Sequence, residues 1–213
     1  MLFEFGACSS IGSCFRKSFG SVLEHFTDSH LIGHLTSLFS NVIHHGKGEQ
    51  GSRSLEVLAN RELFLGFQFK EDIVFDYIFK TKYTLSVSDD RKNITLDIPS
   101  FNPKTGIAKG GGATHFRIVF CLLTFSDYEF DSASKKYLPK EPILHKMCVP
   151  SYSYFISKIG KTEEISIQGK LNIEDALPTS LGVVVCIGIE FYQEIGGKMY
   201  VLQGCCMKIA EVF

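Results

Sequence analysis

Tryptophan is missing from this chain of 213 residues, and so is any excess of charge: 22 Lys and Arg stand against 23 Asp and Glu, a formal net charge of −1. That balance leaves no global field to draw in nucleic acid or an acidic membrane. The basic pairs Lys135-Lys136 and Arg91-Lys92 are short, with acidic residues a few positions away, so no nucleic-acid partner is expected. The lack of Trp removes the largest ring for stacking on a sugar and weakens a carbohydrate-binding reading. Long apolar runs are lacking too. Leu181 to Ile189 is the most apolar stretch, about half the length that spans a bilayer, so no membrane insertion is expected. The first residues carry neither a basic segment nor a long apolar one, which excludes a secretory signal. A cytoplasmic location is the expectation.

Reactive motifs are equally scarce. No GxSxG elbow occurs, and no CxxC accompanies the adjacent Cys205-Cys206. The seven cysteines are odd in number and irregular in spacing, which fits buried thiols in a reducing compartment. His30 and His34 stand four apart, the spacing of two metal ligands on one helix face. The residue after His30 is Leu31, where the HExxH signature needs a Glu base. The glycine-rich stretch from Gly106 through Lys109 to Thr114 looks like a phosphate cradle. A P-loop needs GK[ST] followed by a helix, and here a strand pattern follows. No catalytic residue, metal ligand set or cofactor is therefore expected, with His30 and His34 the metal candidates that remain.

What is present is a change of rhythm. Phe5, Cys8, Ile11, Phe15, Phe19, Val22 and Phe26 recur every three or four residues, as do Leu31, Ile32, Leu35, Leu38, Phe39, Val42 and Ile43. Both stripes are helical faces. Thr27-Asp28-Ser29 between them offers capping oxygens, and Gly46 and Gly48 end the second helix. The short connection predicts a hairpin of two helices. A polar, Gly-rich segment follows.

From Leu63 the period is two. The pattern predicts strands at Leu63–Phe69, Tyr83–Val87, Asn93–Ile98, His115–Phe125, Glu164–Leu171, Leu181–Glu194 and Lys198–Gln203. His115–Phe125 and Leu181–Glu194 are apolar on both faces and predict central strands. Gly196-Gly197 suits a tight turn. Strands without crossover helices predict an antiparallel sandwich. The predicted fold is α+β: a helical hairpin over residues 1–46, a linker over 47–61, and an immunoglobulin/fibronectin-III-like antiparallel β-sandwich over 62–213.

Gly188 to Tyr200, Gly112 to Val119 and the helical Phe5-Gly6, Arg16 to Phe19, Asp28-Ser29 and Leu35 together resemble a family of uncharacterised bacterial proteins, mostly from Bacteroidota. Its members usually begin with a further basic, glycine-rich segment, so the resemblance implies that this chain lacks one. It implies no activity, substrate or catalytic residue. Function is then read from the residues alone. Two amphipathic helices on a β domain point to a non-catalytic structural or protein-interaction module, with self-association or a protein partner. The alternative is a sandwich that binds a glycan or small molecule through Tyr128, Tyr137, Tyr152 or Tyr154. A third reading is a hydrolase whose site assembles only in the fold.

Overall fold

Two apolar stripes become two helices, α1 (Leu2–Ser18) and α2 (Leu31–His44). The computed structural model describes the backbone of residues 2–108 and 110–213 and the side chains from Glu4 onward; Lys109 of the glycine-rich stretch lies outside the described residues. Cys8, Ile11 and Phe15 of α1 and Leu31, Leu35, Leu38, Phe39, Val42 and Ile43 of α2 are buried together. Gly12 backs onto Leu35, and the Phe15 and Phe39 rings meet edge-on at 5.5 Å. Between the helices, the Asp28 carboxylate accepts from the N–H groups of His30 and Leu31 and ties them to the N–H of Glu71. This satisfies donors that a helix start leaves orphaned.

One member of the first stripe is displaced. Phe5 is 68% exposed, and Glu4 is buried instead. Counting back from Cys8 by a full i−4 step reaches Glu4, not Phe5. Glu4 holds Arg53 through both carboxylate oxygens and accepts from the N–H of Gly51. That hydrogen-bonded guanidinium is the largest influence on its acidity and holds the carboxyl down at about 2.

The β portion contains two larger antiparallel sheets. In chain order the strands are β1 (Thr84–Val87), β2 (Asn93–Ile98), β3 (His115–Ser126), β4 (Tyr128–Asp131), β5 (Lys136–Pro139), β6 (Cys148–Tyr152), β7 (Ile156–Ser157), β8 (Ile165–Lys170), β9 (Leu181–Ile195), β10 (Lys198–Val201) and β11 (Cys206–Val212). β3 and β9 pair along their whole shared length, from His115 opposite Tyr192 to Ser126 opposite Leu181. β6 and β7 extend β3; β10 and β11 extend β9. β1, β2 and β8 form the second sheet, and β4 and β5 a separate hairpin.

Burial explains the composition of the central strands. Val119, Cys121, Leu123 and Phe125 of β3 face the core shared with the helices. Phe116, Ile118, Phe120 and Leu122 alternate with them and face Ile94, Leu96, Ile98, Ile165 and Ile167 of the second sheet. A strand covered on both sides must be apolar on both. β2 and β8 are covered on one side and alternate buried with less buried residues. The turn at Gly196-Gly197 has both glycines at positive φ, 58° and 77°, as the two-residue hairpin requires.

Two stretches differ from the sequence pattern. The pattern predicts a strand at Leu63–Phe69, but the segment begins in a 3-10 turn at Arg61–Leu63. It meets β11 through a single Gln68–Lys208 bridge and a few backbone bonds, among them the Gly66 N–H to Ile209, rather than a continuous ladder. Gly66 at φ 75° breaks the extended run while Phe64 and Phe69 are drawn into the core. The polar segment 47–61 carries fully buried Leu55 and Val57. Leu55 exchanges backbone bonds with Tyr128, and the Val57 N–H donates to Asp127 at 2.6 Å. The segment is thus tied to the sheet rather than free of it.

Gly46 sits where this strap turns. A Cβ there would lie 1.7 Å from the carbonyl oxygen of Ser54. Gly46→Ala is expected to destabilise the fold by about 1–3 kcal/mol, read as a lowered midpoint in urea unfolding. An unchanged midpoint would show that 47–54 is not held against the end of α2.

Candidate functional site

The six aromatic and histidine candidates fall in three places. His30 and His34 flank Glu71, with His30 Nδ1 at 3.3 Å and His34 Nε2 at 3.6 Å from its oxygens. All three side chains are well exposed. Among the described residues no group of three or more His, Cys, Asp or Glu is placed to hold a metal ion. Here His30 and His34 face a carboxylate across water-accessible surface, where an ion pair contributes little.

Tyr128 is a buried ring and Tyr137 is half-buried at the edge of a cleft. They belong to the hairpin of β4 and β5 packed near α1, and Tyr128 is 5% exposed. A cleft of about 470 Å³ opens beside them, lined by Ala7, Ser10, Cys14, Tyr128, Lys135 and Tyr137. Behind this lining, Cys14 of α1 and Tyr128 of β4 meet buried His145 of the loop before β6. Tyr128 Oη is 2.7 Å from His145 Nε2, and Cys14 Sγ is 3.6 Å from both.

A cysteine beside a histidine invites a nucleophile–base reading. The proton positions argue otherwise. The backbone N–H of Ser126 donates to His145 Nδ1 at 3.1 Å. That lone pair is then occupied, so the proton of the neutral ring sits on Nε2. Nε2–H donates to Tyr128 Oη, and the phenol O–H donates to Cys14 Sγ. No lone pair of His145 remains to take a proton from the thiol. Burial, then the Lys146 charge, lower the imidazole to about 4, so the ring is neutral at physiological pH. Burial likewise holds the Tyr128 phenol far above its ordinary range. The trio is a satisfied, largely buried polar chain that ends at part-exposed Cys14.

Cys8 is pushed up to about 11 by burial, and burial also raises Cys186 and Cys205. Cys121 and Cys148 lie Sγ to Sγ at 3.3 Å, and the hydrogen bond between them raises the Cys121 thiol and lowers that of Cys148.

Tyr152 and Tyr154 are exposed, 44% and 57%. Tyr152 leads to the constellation that motif reading missed. Arg117 of β3 stands directly opposite Glu190 of β9. Its Nε and Nη2 donate to one Glu190 oxygen at 2.9 and 2.6 Å, and Tyr192 Oη donates to the same oxygen at 2.7 Å. The guanidinium lies 4.4 Å from the Tyr152 ring centroid and 5.3 Å from that of Phe155. Phe155 in turn meets Tyr192 edge-on at 4.8 Å. A signal for this cluster was in the sequence: Arg117 is a single charge within one otherwise apolar strand, and Glu190 a single opposite charge in the apolar part of another. For His145 no local signal exists.

No protein-family model, curated protein or solved structure matches the chain. Among the described residues, no helix is long and apolar enough to cross a membrane.

Two outcomes are expected. Arg117→Met leaves Glu190, only 4% exposed, without its cation and should cost about 3 kcal/mol in urea unfolding; Arg117→Met with Glu190→Met should recover much of that loss. A single variant as stable as the wild type would refute the burial argument. The second concerns Asp127, which burial pushes up to about 6 despite the Val57 N–H bond. Its folded pKa exceeds the unfolded value, so its charge costs stability at high pH and that cost fades as pH falls through about 6. Asp127→Asn keeps an oxygen for Val57 and should gain about 2 kcal/mol near pH 8. The gain should shrink near pH 5; a pH-independent gain contradicts the assignment.

Proposed function

We propose that the chain is a non-catalytic protein-interaction module that docks a protein partner on the uncovered end of its six-stranded sheet. One observation carries this reading. Along β3, Val119 is fully buried on the face shared with the helices, yet one step further Arg117 lies beneath half-exposed Tyr152 and Phe155. The helix layer stops short, and what it leaves open is an arginine fixed between aromatic rings. Arginine and aromatic side chains are the residues that dominate interface energetics. Here the guanidinium is already oriented by Glu190 and Tyr192, so little freedom is lost on docking. The neutral, acceptor-blocked His145 supports leaving catalysis out of the reading.

The finer architecture belongs to the same proposal. The helices form a hairpin, and the β portion is a fibronectin-III-like sandwich. The strand orders support it: β1-β2-β8 in one sheet and β11-β9-β3-β6 in the other follow the A-B-E and G-F-C-C′ arrangement of such domains. Membership of the uncharacterised bacterial family and a cytoplasmic setting are proposed with it; neither adds an activity.

A photo-crosslinking residue in place of Tyr154 is expected to give discrete protein adducts in cells. The same residue in place of Ile143, 89% exposed elsewhere on the surface, should not. Adducts should vanish when Tyr152→Ala and Phe155→Ala are combined, with the unfolding midpoint little changed. Adducts that survive the double variant, or none from Tyr154, count against the docking face. Exposed Tyr152 and Tyr154 favour glycan binding as a second reading, although Arg117 already covers one face of Tyr152. A glycan-array signal abolished by Tyr152→Ala would replace the protein partner with a sugar.

A further inference from the structure

The outer edges of the sheets are treated unequally. Residues 66–69 cap β11: the Gly66 N–H donates to the Ile209 carbonyl, the Ile209 N–H to Phe67, and the Phe69 N–H to Met207. β6 lies beside β8, where the Ser151 hydroxyl donates to the Gln168 carbonyl. β1 pairs with β2 on one side, and among the described residues no strand pairs with its other side.

The hairpin register decides which backbone groups face outward. The Ser88 N–H bonds the Asn93 carbonyl across the turn. By the alternation of an antiparallel ladder, Ser86 and Thr84 direct their backbone groups to β2, and Leu85 and Val87 direct theirs away from it. The same two residues turn their side chains coreward, Leu85 opposite buried Leu96 and Val87 opposite buried Ile94. Val87 is nonetheless 38% exposed. Thr84–Val87 contains neither charge nor proline, the usual guards of a free edge. Charges stand at its two ends: Lys82 before it, Asp89 and Asp90 after it.

We propose that β1 pairs antiparallel with β1 of a second copy of this chain, about a two-fold axis through Ser86, joining two three-stranded sheets into one. Outward groups must meet outward groups, so Leu85 and Val87 pair with each other or with themselves. An axis through Ser86 sets Leu85 against Val87 of the second copy, exchanging both backbone bonds and burying the exposed Val87. It also brings Lys82, just before the strand of each copy, alongside the acidic turn at Asp89-Asp90 of the other. An axis through Leu85 would set Lys82 against Ser88, and one through Val87 would set Leu85 against Asp89. Only the Ser86 axis pairs apolar with apolar and cation with anion. This edge belongs to the sheet that lacks the aromatic docking face, so either surface can fail alone.

Sedimentation velocity over a rising concentration series of the full chain tests the pairing. The wild type is expected to pass from monomer to dimer. Val87→Pro removes an outward N–H that β2 does not use and should abolish the dimer with the fold retained by circular dichroism. Lys82→Glu should raise the dissociation constant about tenfold, since two symmetric attractions become repulsions. Asp90→Lys should do the same. Mixed together, these two charge variants pair opposite charges at both ends and should form a heterodimer at concentrations where each alone is monomeric. Asp90 also accepts from the Ser88 hydroxyl and the Lys92 N–H, so the mixture is repeated with Asp89→Lys. A wild type that stays monomeric throughout, a Val87→Pro variant that dimerises as well as the wild type, or charge variants that do not rescue each other in either mixture would overturn the proposal.

Discussion

The pairing of β3 with β9 is the constraint on which every other layer depends. These strands receive the helices on one face and the second sheet on the other. Each partner brings a single oily face: the helices through Phe15, Leu35 and Phe39, the small sheet through Ile94, Leu96 and Ile167. Neither face could remain in water. The central pair therefore has to be apolar on both sides, and its residues from Ile118 to Phe125 and from Leu181 to Ile189 are fully buried. Remove that pair and two amphipathic layers lose their common floor.

This explains what was legible in the sequence. Helical stripes, the alternation of β2 and β8, the double-sided apolarity of β3 and β9 and the Gly196-Gly197 turn are local properties. Each is written by residues adjacent to one another, though the first helix stops at Ser18, leaving Val22 in a 3-10 turn and Phe26 in the turn beyond it, and Phe5 and Ile32 face outward. Segment 63–69 misled because its aromatic residues mimic a strand, while its real task is to lodge Phe64 and Phe69 under the helices around a left-handed Gly66. Leu55 and Val57 went unread because two apolar residues in a polar stretch have no period. Glu4 and Phe5 show the smallest such error: adjacent positions differ by about 100° around a helix, and a partner far along the chain, Arg53, decided which one turned inward.

The site was less legible than the fold for the same reason. Cys14, Tyr128 and His145 meet because α1, β4 and the loop before β6 are all laid on one end of the sheet. Their chemistry depends on one backbone N–H, that of Ser126, aimed at Nδ1. No spacing rule carries that information. A sequence reader sees a cysteine, a tyrosine and a histidine and counts a potential triad; the hydrogen-bond directions turn it into a structural tie. Charge in an apolar strand is different, because its desolvation cost makes it conspicuous wherever the strand is buried.

Arg117 and Glu190 also supply something that the central pair cannot obtain from oil alone. Where one face is wet, a one-residue slip exposes every apolar side chain, and register is fixed by that penalty. β3 and β9 are dry on both faces, so a slip exchanges apolar for apolar and is penalised weakly by hydrophobicity. It is penalised heavily by charge. Shifted by one, Arg117 would stand opposite Ile189 or Phe191, and Glu190 would be buried with no cation beside it. Breaking such a pair costs on the order of 3–5 kcal/mol, although replacing it by apolar residues can cost nothing. The ion pair is thus poor at adding stability and effective at excluding the wrong alignment. The same pair holds the guanidinium beneath Tyr152 and Phe155, so the device that aligns the two central strands also shapes the surface that faces outward.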